Sequence, residues 1–259
     1  MPERLRHPQP LQGWTVLSLR PRGQHGGLRA AASRHGGRLL ALSPYAIEAL
    51  DDPDHRQRLK QALASDRVVW TSPNAVRVAA ALQSLKPRRG QAWLAVGSGT
   101  RRALLRAGID AIAPSRMDSE GLLAMPELQG VHGRRIGLVT APGGRGLLEP
   151  GLSRRGASVV RADVYARRPI AFSPPALAAL AAALATPTRV LLVLSSQEAM
   201  QRLLTGLAPS VRAALPAIAV VVASQRLAEI ARQSGFRRIT VADHAGPGAM
   251  LQAAVSAFV

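Results

Sequence analysis

The chain has 259 residues, enough for two compact domains of ordinary size. Hydrophobic residues make up 47% and aromatics 3%, so the expected cores are aliphatic, built from Ala, Leu and Val. The absence of cysteine excludes disulfides, thiolate metal sites and cysteine nucleophiles, and a net charge of +19 directs attention to polyanionic partners.

Residues 1–13 read as a loose tail, and the apolar stretch Trp14–Leu19, cut by Arg20, is too short for a secretory signal. Short aliphatic or β-branched runs then predict strands at Trp14–Leu19, Arg38–Leu42, Val68–Trp70, Ala92–Val96, Ala111–Ala113, Arg135–Val139, Ser158–Ala162, Val190–Leu194, Ile218–Val222 and Arg238–Val241. Helical patterns lie between most of them, with apolar residues three and four apart, as at Leu227, Ile230 and Ala231. Strands alternating with helices predict α/β architecture with parallel sheets covered on both faces. The longest apolar run, Ala176–Ala185, is ten residues, half of the roughly 20 a membrane span needs, and a cytoplasmic location is expected.

The chain repeats itself. Val69-Trp70-Thr71-Ser72 parallels Val193-Leu194-Ser195-Ser196, each an aliphatic strand running through two hydroxyl residues into a helix. Val96-Gly97-Ser98 parallels Val222-Ala223-Ser224, and Leu19-Arg20-Pro21 parallels the segment from Val139 to Gly144. Two copies of one α/β unit are therefore expected, with linkers near Ala41–Tyr45 and Asp163–Pro169.

In parallel sheets ligands bind beyond the carboxyl ends of the strands, where loops meet helix N-termini. The turns there are Thr71-Ser72, Gly97-Ser98-Gly99-Thr100, Gly143-Gly144-Arg145, Ser195-Ser196 and Ser224-Gln225. Each offers hydroxyls or glycine-exposed N–H groups at the positive end of a helix, equipment for carboxylates or phosphates. Each is equally a plain N-cap, since Ser and Thr are preferred there. No phosphate loop, dinucleotide fingerprint or nucleophile elbow is present. The histidines (His7, His25, His35, His55, His132 and His244) lack metal-ligand spacing and are expected on the solvated surface. The cations are nearly all Arg, with Lys60 and Lys86 the only lysines, and are spread out rather than packed in a tract. With so few aromatics for base stacking, this argues against nucleic acid. No metal and no cofactor are expected. An enzyme with this inventory would bind, orient and shape an intrinsically reactive substrate.

These motifs carry a family resemblance. Thr71-Ser72-Pro73-Asn74-Ala75-Val76, Val96-Gly97-Ser98-Gly99-Thr100 and Ser119-Glu120-Gly121-Leu122-Leu123 resemble segments of uroporphyrinogen-III synthases. Gly143-Gly144-Arg145, Gly156-Ala157, Val164-Tyr165-Ala166-Arg167, Ser195-Ser196 and Ser224-Gln225-Arg226-Leu227-Ala228 follow in the family's order, from about Trp14 to Ala254. Gln225-Arg226 and the proline-free Ser195-Ser196-Gln197 depart from the common pattern.

The resemblance implies two flavodoxin-like parallel-sheet domains joined by a two-stranded linker, with the active site in the cleft between them. One domain would be discontinuous (1–43 with 168–259) and the other would span 44–167. It implies a monomeric, cofactor-free lyase acting on hydroxymethylbilane, a linear tetrapyrrole with eight carboxylates, handed over transiently by hydroxymethylbilane synthase. The implied catalytic residue is Tyr165. Implied substrate-binding residues are Thr71, Ser72, Gly97, Ser98, Thr100, Gly144, Arg145, Ser195, Ser196, Ser224, Gln225 and Arg20. The alternative reading is a non-enzymatic two-domain binder of a small polyanion.

Overall fold

The structure is a computed structural model describing residues 9–143 and 146–259. Eleven strands are formed among them: β1 (Thr15–Ser18), β2 (Arg38–Ala41), β3 (Tyr45–Ala49), β4 (Arg67–Trp70), β5 (Ala92–Ala95), β6 (Arg135–Thr140), β7 (Ser158–Asp163), β8 (Tyr165–Pro169), β9 (Val190–Leu194), β10 (Ala219–Val222) and β11 (Arg238–Val241). The chain folds as two compact units, one from the segment ending at residue 46 with 168–259, the other from 47–167.

The first unit holds a parallel five-stranded sheet in the order β11-β10-β9-β1-β2. The second holds a parallel four-stranded sheet in the order β5-β4-β6-β7. A single parallel bridge, Leu94 to Ile112, stands beyond β5. It is what the expected strand Ala111–Ala113 becomes: one pairing residue, between the buried Ala111 and a partly buried Ala113. Counting that bridge, the two strand orders correspond position for position, with β9 matching β4, β10 matching β5, β1 matching β6 and β2 matching β7. The repeated turns thus occupy equivalent places in two sheets. The expected linker Asp163–Pro169 contains β8, whereas β3 starts only at Tyr45, the last residue of the expected Ala41–Tyr45, and the two strands form a two-stranded sheet of their own.

Both faces of the second sheet are covered. Alternation along β4 sends Val68 and Trp70 into one core with Leu59, Ala62, Val76, Leu104 and Val139, and Val69 into another with Leu94, Leu122, Ile136 and Leu152. In the first unit Val16, Leu191, Val193 and Val221 pack with Leu28 of helix Gly26–Arg34 and Leu251 of helix Pro247–Phe258. The expectation of aliphatic cores is corrected in both units: Trp14 belongs to the core of the first, with Phe258 packed against it, and the second holds a larger aromatic group. Trp70 and Trp93 stack there with centroids 5.2 Å apart, and Tyr165 lies in the same core. The few aromatics go mostly into the cores, because a large ring fills the space over a short strand that Ala and Val leave open.

Candidate functional site

A parallel sheet has a crevice where adjacent strands send their chains in opposite directions. In the second unit this is between β4, which continues to β5, and β6, which continues to β7. The chain at the carboxyl ends of these two strands is Thr71-Ser72 and Thr140-Ala141. Thr71 Oγ1 donates to Thr140 Oγ1 at 2.7 Å. Ser72 is the N-cap of helix Pro73–Leu82, where Pro at the first turn suits the missing donor and Ser72 Oγ accepts the Ala75 N–H at 3.1 Å. The same Oγ is 3.0 Å from Tyr165 Oη. These residues line one recess with Ser119, Gly143, Glu149 and Arg161. Tyr165 also lines it and is only 1% exposed, with the Arg167 guanidinium 5.9 Å from its ring centroid. Arg161 is committed to Asp163 at 2.9 Å and Glu149 at 3.3 Å, which hold its charge firmly and raise its pKa, whereas the hydroxyls of the recess are held by hydrogen bonds alone.

The neighbouring strand β5 leads into Gly97, the N-cap of helix Ser98–Arg106. Gly97 and Ser98 are half-buried, whereas Thr100 is buried at 2% exposure inside the first turn. Gly144 and Arg145 lie outside the described residues.

The first unit has the corresponding crevice between β1 and β9. Ser195 is exposed at the end of β9, and Ser196 caps helix Gln197–Gly206 by accepting the Ala199 N–H at 3.3 Å. Ser224 caps helix Gln225–Gln233 in the same way, accepting the Leu227 N–H at 3.4 Å, and Ser224 and Gln225 are exposed. An Arg226 N–H bonded to Gln197 Oε1 at 3.0 Å ties these two turns together. Arg20 follows β1, half-buried, and its Nη2 donates to the Ala245 carbonyl at 3.3 Å.

The structure also brings in a residue that the sequence analysis places elsewhere. His25 is buried, correcting the expectation of a surface histidine. Its Nδ1 is 2.8 Å from Ser18 Oγ and its Nε2 is 2.8 Å from Ser43 Oγ. One ring nitrogen must donate and the other accept, since the ring is held neutral: burial, then the Arg29 and Arg20 guanidiniums, lower its pKa. No local pattern sets His25 apart, because its partners Ser18 and Ser43 lie 7 and 18 residues away in the chain. The unfolded chain takes up a proton at His25 near pH 6.5, while the folded chain resists until lower pH. Stability from this group is full above that pH and declines as pH falls towards the lowered folded-state value. We expect acid titration of thermal stability to be less steep in His25→Gln than in the parent across this window, and an identical slope would remove His25 from the account.

The turns and folds define a class. This is an α/β protein with two parallel sheets whose switch points present capped helix N-termini with hydroxyls, and no group of three metal-ligating side chains occurs among the described residues. The family model for uroporphyrinogen-III synthase HemD matches residues 27–252. The uroporphyrinogen-III synthase of Salmonella typhimurium strain LT2 is 35% identical over 213 residues, 78% of this chain and 83% of that protein. The Escherichia coli K12 enzyme of the same name is 34% identical over 164 residues, 62% of this chain and 65% of that protein. In fold the chain is similar to a mutant uroporphyrinogen III synthase from the extremely thermophilic bacterium Thermus thermophilus, with a TM-score of 0.62, 24% identity and coverage of 94% and 98% of the two chains. A similar match is the Helicobacter pylori 26695 uroporphyrinogen-III synthetase, with a TM-score of 0.59, 13% identity and the same coverage. The chain belongs to the uroporphyrinogen-III synthase family.

Proposed function

We propose that this protein closes hydroxymethylbilane into uroporphyrinogen III, acting as a monomer in the cytoplasm. The observation that supports the reading most is the placement of the family's turn residues Thr71, Ser72 and Tyr165 in one recess at a switch point, with hydroxyls uncommitted to ion pairs. A hand-over from hydroxymethylbilane synthase would supply the unstable substrate.

The chemistry suits this inventory. The electron-rich pyrrole expels its hydroxyl as water and leaves an azafulvene. The substituted carbon of the last ring attacks it, forming a spiro intermediate that fragments and recloses with that ring inverted. Uncatalysed closure gives the other isomer, so the protein's task is to hold one conformation and exclude the competing attack. Helix N-termini capped by Ser72, Ser196 and Ser224, with Ser98 and Ser195 beside them, would receive the substrate carboxylates. The strongly cationic chain would raise their local concentration. Arg20 would add one direct cation. Tyr165 and Ser72 would supply the proton to the departing hydroxyl as one hydrogen-bonded pair, since Ser72 is the partner of the buried phenol.

The test is an isomer assay with freshly generated hydroxymethylbilane, followed by oxidation and chromatographic separation. The expected product is isomer III in excess, without added metal or nucleotide. Isomer I alone, at the spontaneous rate from folded protein, overturns the reading.

A further inference from the structure

The second unit has another recess, at the amino ends of β4, β5 and β6, the opposite end of the sheet from Ser72 and Tyr165. One four-residue strand separates the two places, on the order of 10 Å at ~3.3 Å per residue. Four arginines line it, Arg67, Arg88, Arg89 and Arg134, together with Asp66. That carboxylate is already engaged, since Asp66 Oδ2 accepts the Arg135 backbone N–H at 2.7 Å. The recess encloses about 440 Å³, within the roughly 300–1,000 Å³ of small-molecule sites.

Its walls are fixed by hydrogen bonds. Gln91 Nε2 donates to the Leu63 and Ser65 carbonyls at 2.8 and 2.6 Å, and its Oε1 accepts from Trp93 Nε1 at 2.9 Å and from the Arg88 backbone N–H at 3.0 Å. Arg88 Nη2 donates to the Ala64 and Ser65 carbonyls, so this arginine belongs to the frame. Arg67 differs. Its Nη1 is removed from solvent and has no hydrogen-bond partner among the described residues. A buried guanidinium N–H without an acceptor is costly, and such groups in native proteins ordinarily meet a ligand, ion or water. Arg89 and Arg134 are exposed at the rim, with forks that match the paired oxygens of phosphate or carboxylate.

We infer that this recess is a second binding site, for a compact oxyanion with two or more negative charges, of phosphate or carboxylate type. It is independent of the proposed ring closure, because it lies at the wrong end of the strands for the switch-point site.

Calorimetric titration of the whole protein with pyrophosphate and, separately, citrate at constant ionic strength tests this and shows which anion class is preferred. Saturable one-to-one binding is expected for at least one of them. Arg67→Gln should weaken it at least tenfold, and Arg134→Gln, at the exposed rim where folding is not at stake, several-fold. Ser72→Ala should leave the affinity unchanged, which places the anion away from the substrate turns. Heats that never saturate, or an affinity insensitive to both arginine substitutions, overturn the assignment. So would an affinity lost with Ser72→Ala, which would mark the anion as occupying the recess of the proposed reaction.

Discussion

Replacing Gly137 by alanine is expected to destabilise the second unit by about 3 kcal/mol or more, at the upper end of what overpacking a core costs. Gly137 lies in β6, facing helix Pro53–Leu63, between Val68 and Val160 of the neighbouring strands. A Cβ built there stands 2.0 Å from the Ala62 carbonyl oxygen and 2.7 Å from its carbon. Both are backbone atoms of a helix seated on Leu59 and Ala62, so no side-chain rotation relieves the clash and the whole helix must lift. Gly130→Ala is the control, since nothing lies within 4 Å of its added carbon and its φ is not positive. For a domain of this size the change in Tm should be roughly 10 °C, followed by the fluorescence of Trp70 and Trp93 in the same unit. A Gly137→Ala protein as stable as Gly130→Ala would mean that the helix does not approach the sheet this closely.

The second large effect falls on turnover. Tyr165→Phe and Ser72→Ala should each lower kcat/KM by between about 10- and 100-fold, at or just below the low end of what one proton-donating group contributes. The double variant should be hardly worse than the poorer single one. The reason is geometric: the phenol is buried and its partner is Ser72 Oγ at 3.0 Å, so removing either group breaks the same donor pair. Ser72→Ala also removes the cap of helix Pro73–Leu82 and should cost about 1 kcal/mol of stability, so folding must be measured beside activity. Losses that multiply would separate the two residues into independent roles. Complete loss in a folded Tyr165→Phe protein would make that phenol indispensable and would leave Ser72 unable to act without it.

Much of the fold was legible before any coordinates. Strand existence follows from runs such as Val190–Leu194, which are apolar at every position because a parallel strand is covered on both faces. Nine of the ten expected strands form, with ends shifted by one residue at most. Ala111–Ala113 does not extend, since Ile112 alone finds a partner in Leu94. β3 and β8 were harder to see. Sequences such as Tyr165-Ala166-Arg167-Arg168-Pro169 lack an apolar face, and their extended state comes from pairing with each other, residues more than 100 positions apart. Of the candidate site, the capping hydroxyls were legible because capping is local chemistry. Partnerships such as Ser72 with Tyr165 or Thr71 with Thr140 were not, since each joins separate strands.

The sequence by itself determined the alternation of strands and helices, the internal repeat, and the hydroxyl residues of the turns that follow β4, β5, β9 and β10, because these rest on periodicity and on contacts within a few residues. Only the tertiary structure decided which of those hydroxyls meet. It also decided that Thr100 turns inward, that His25 is buried between two serines rather than solvated, and that four scattered arginines gather around one recess at the amino ends of three strands. Sheet order brings these groups together, and sheet order is set by long-range packing of apolar faces, a property of the folded chain as a whole rather than of any local stretch.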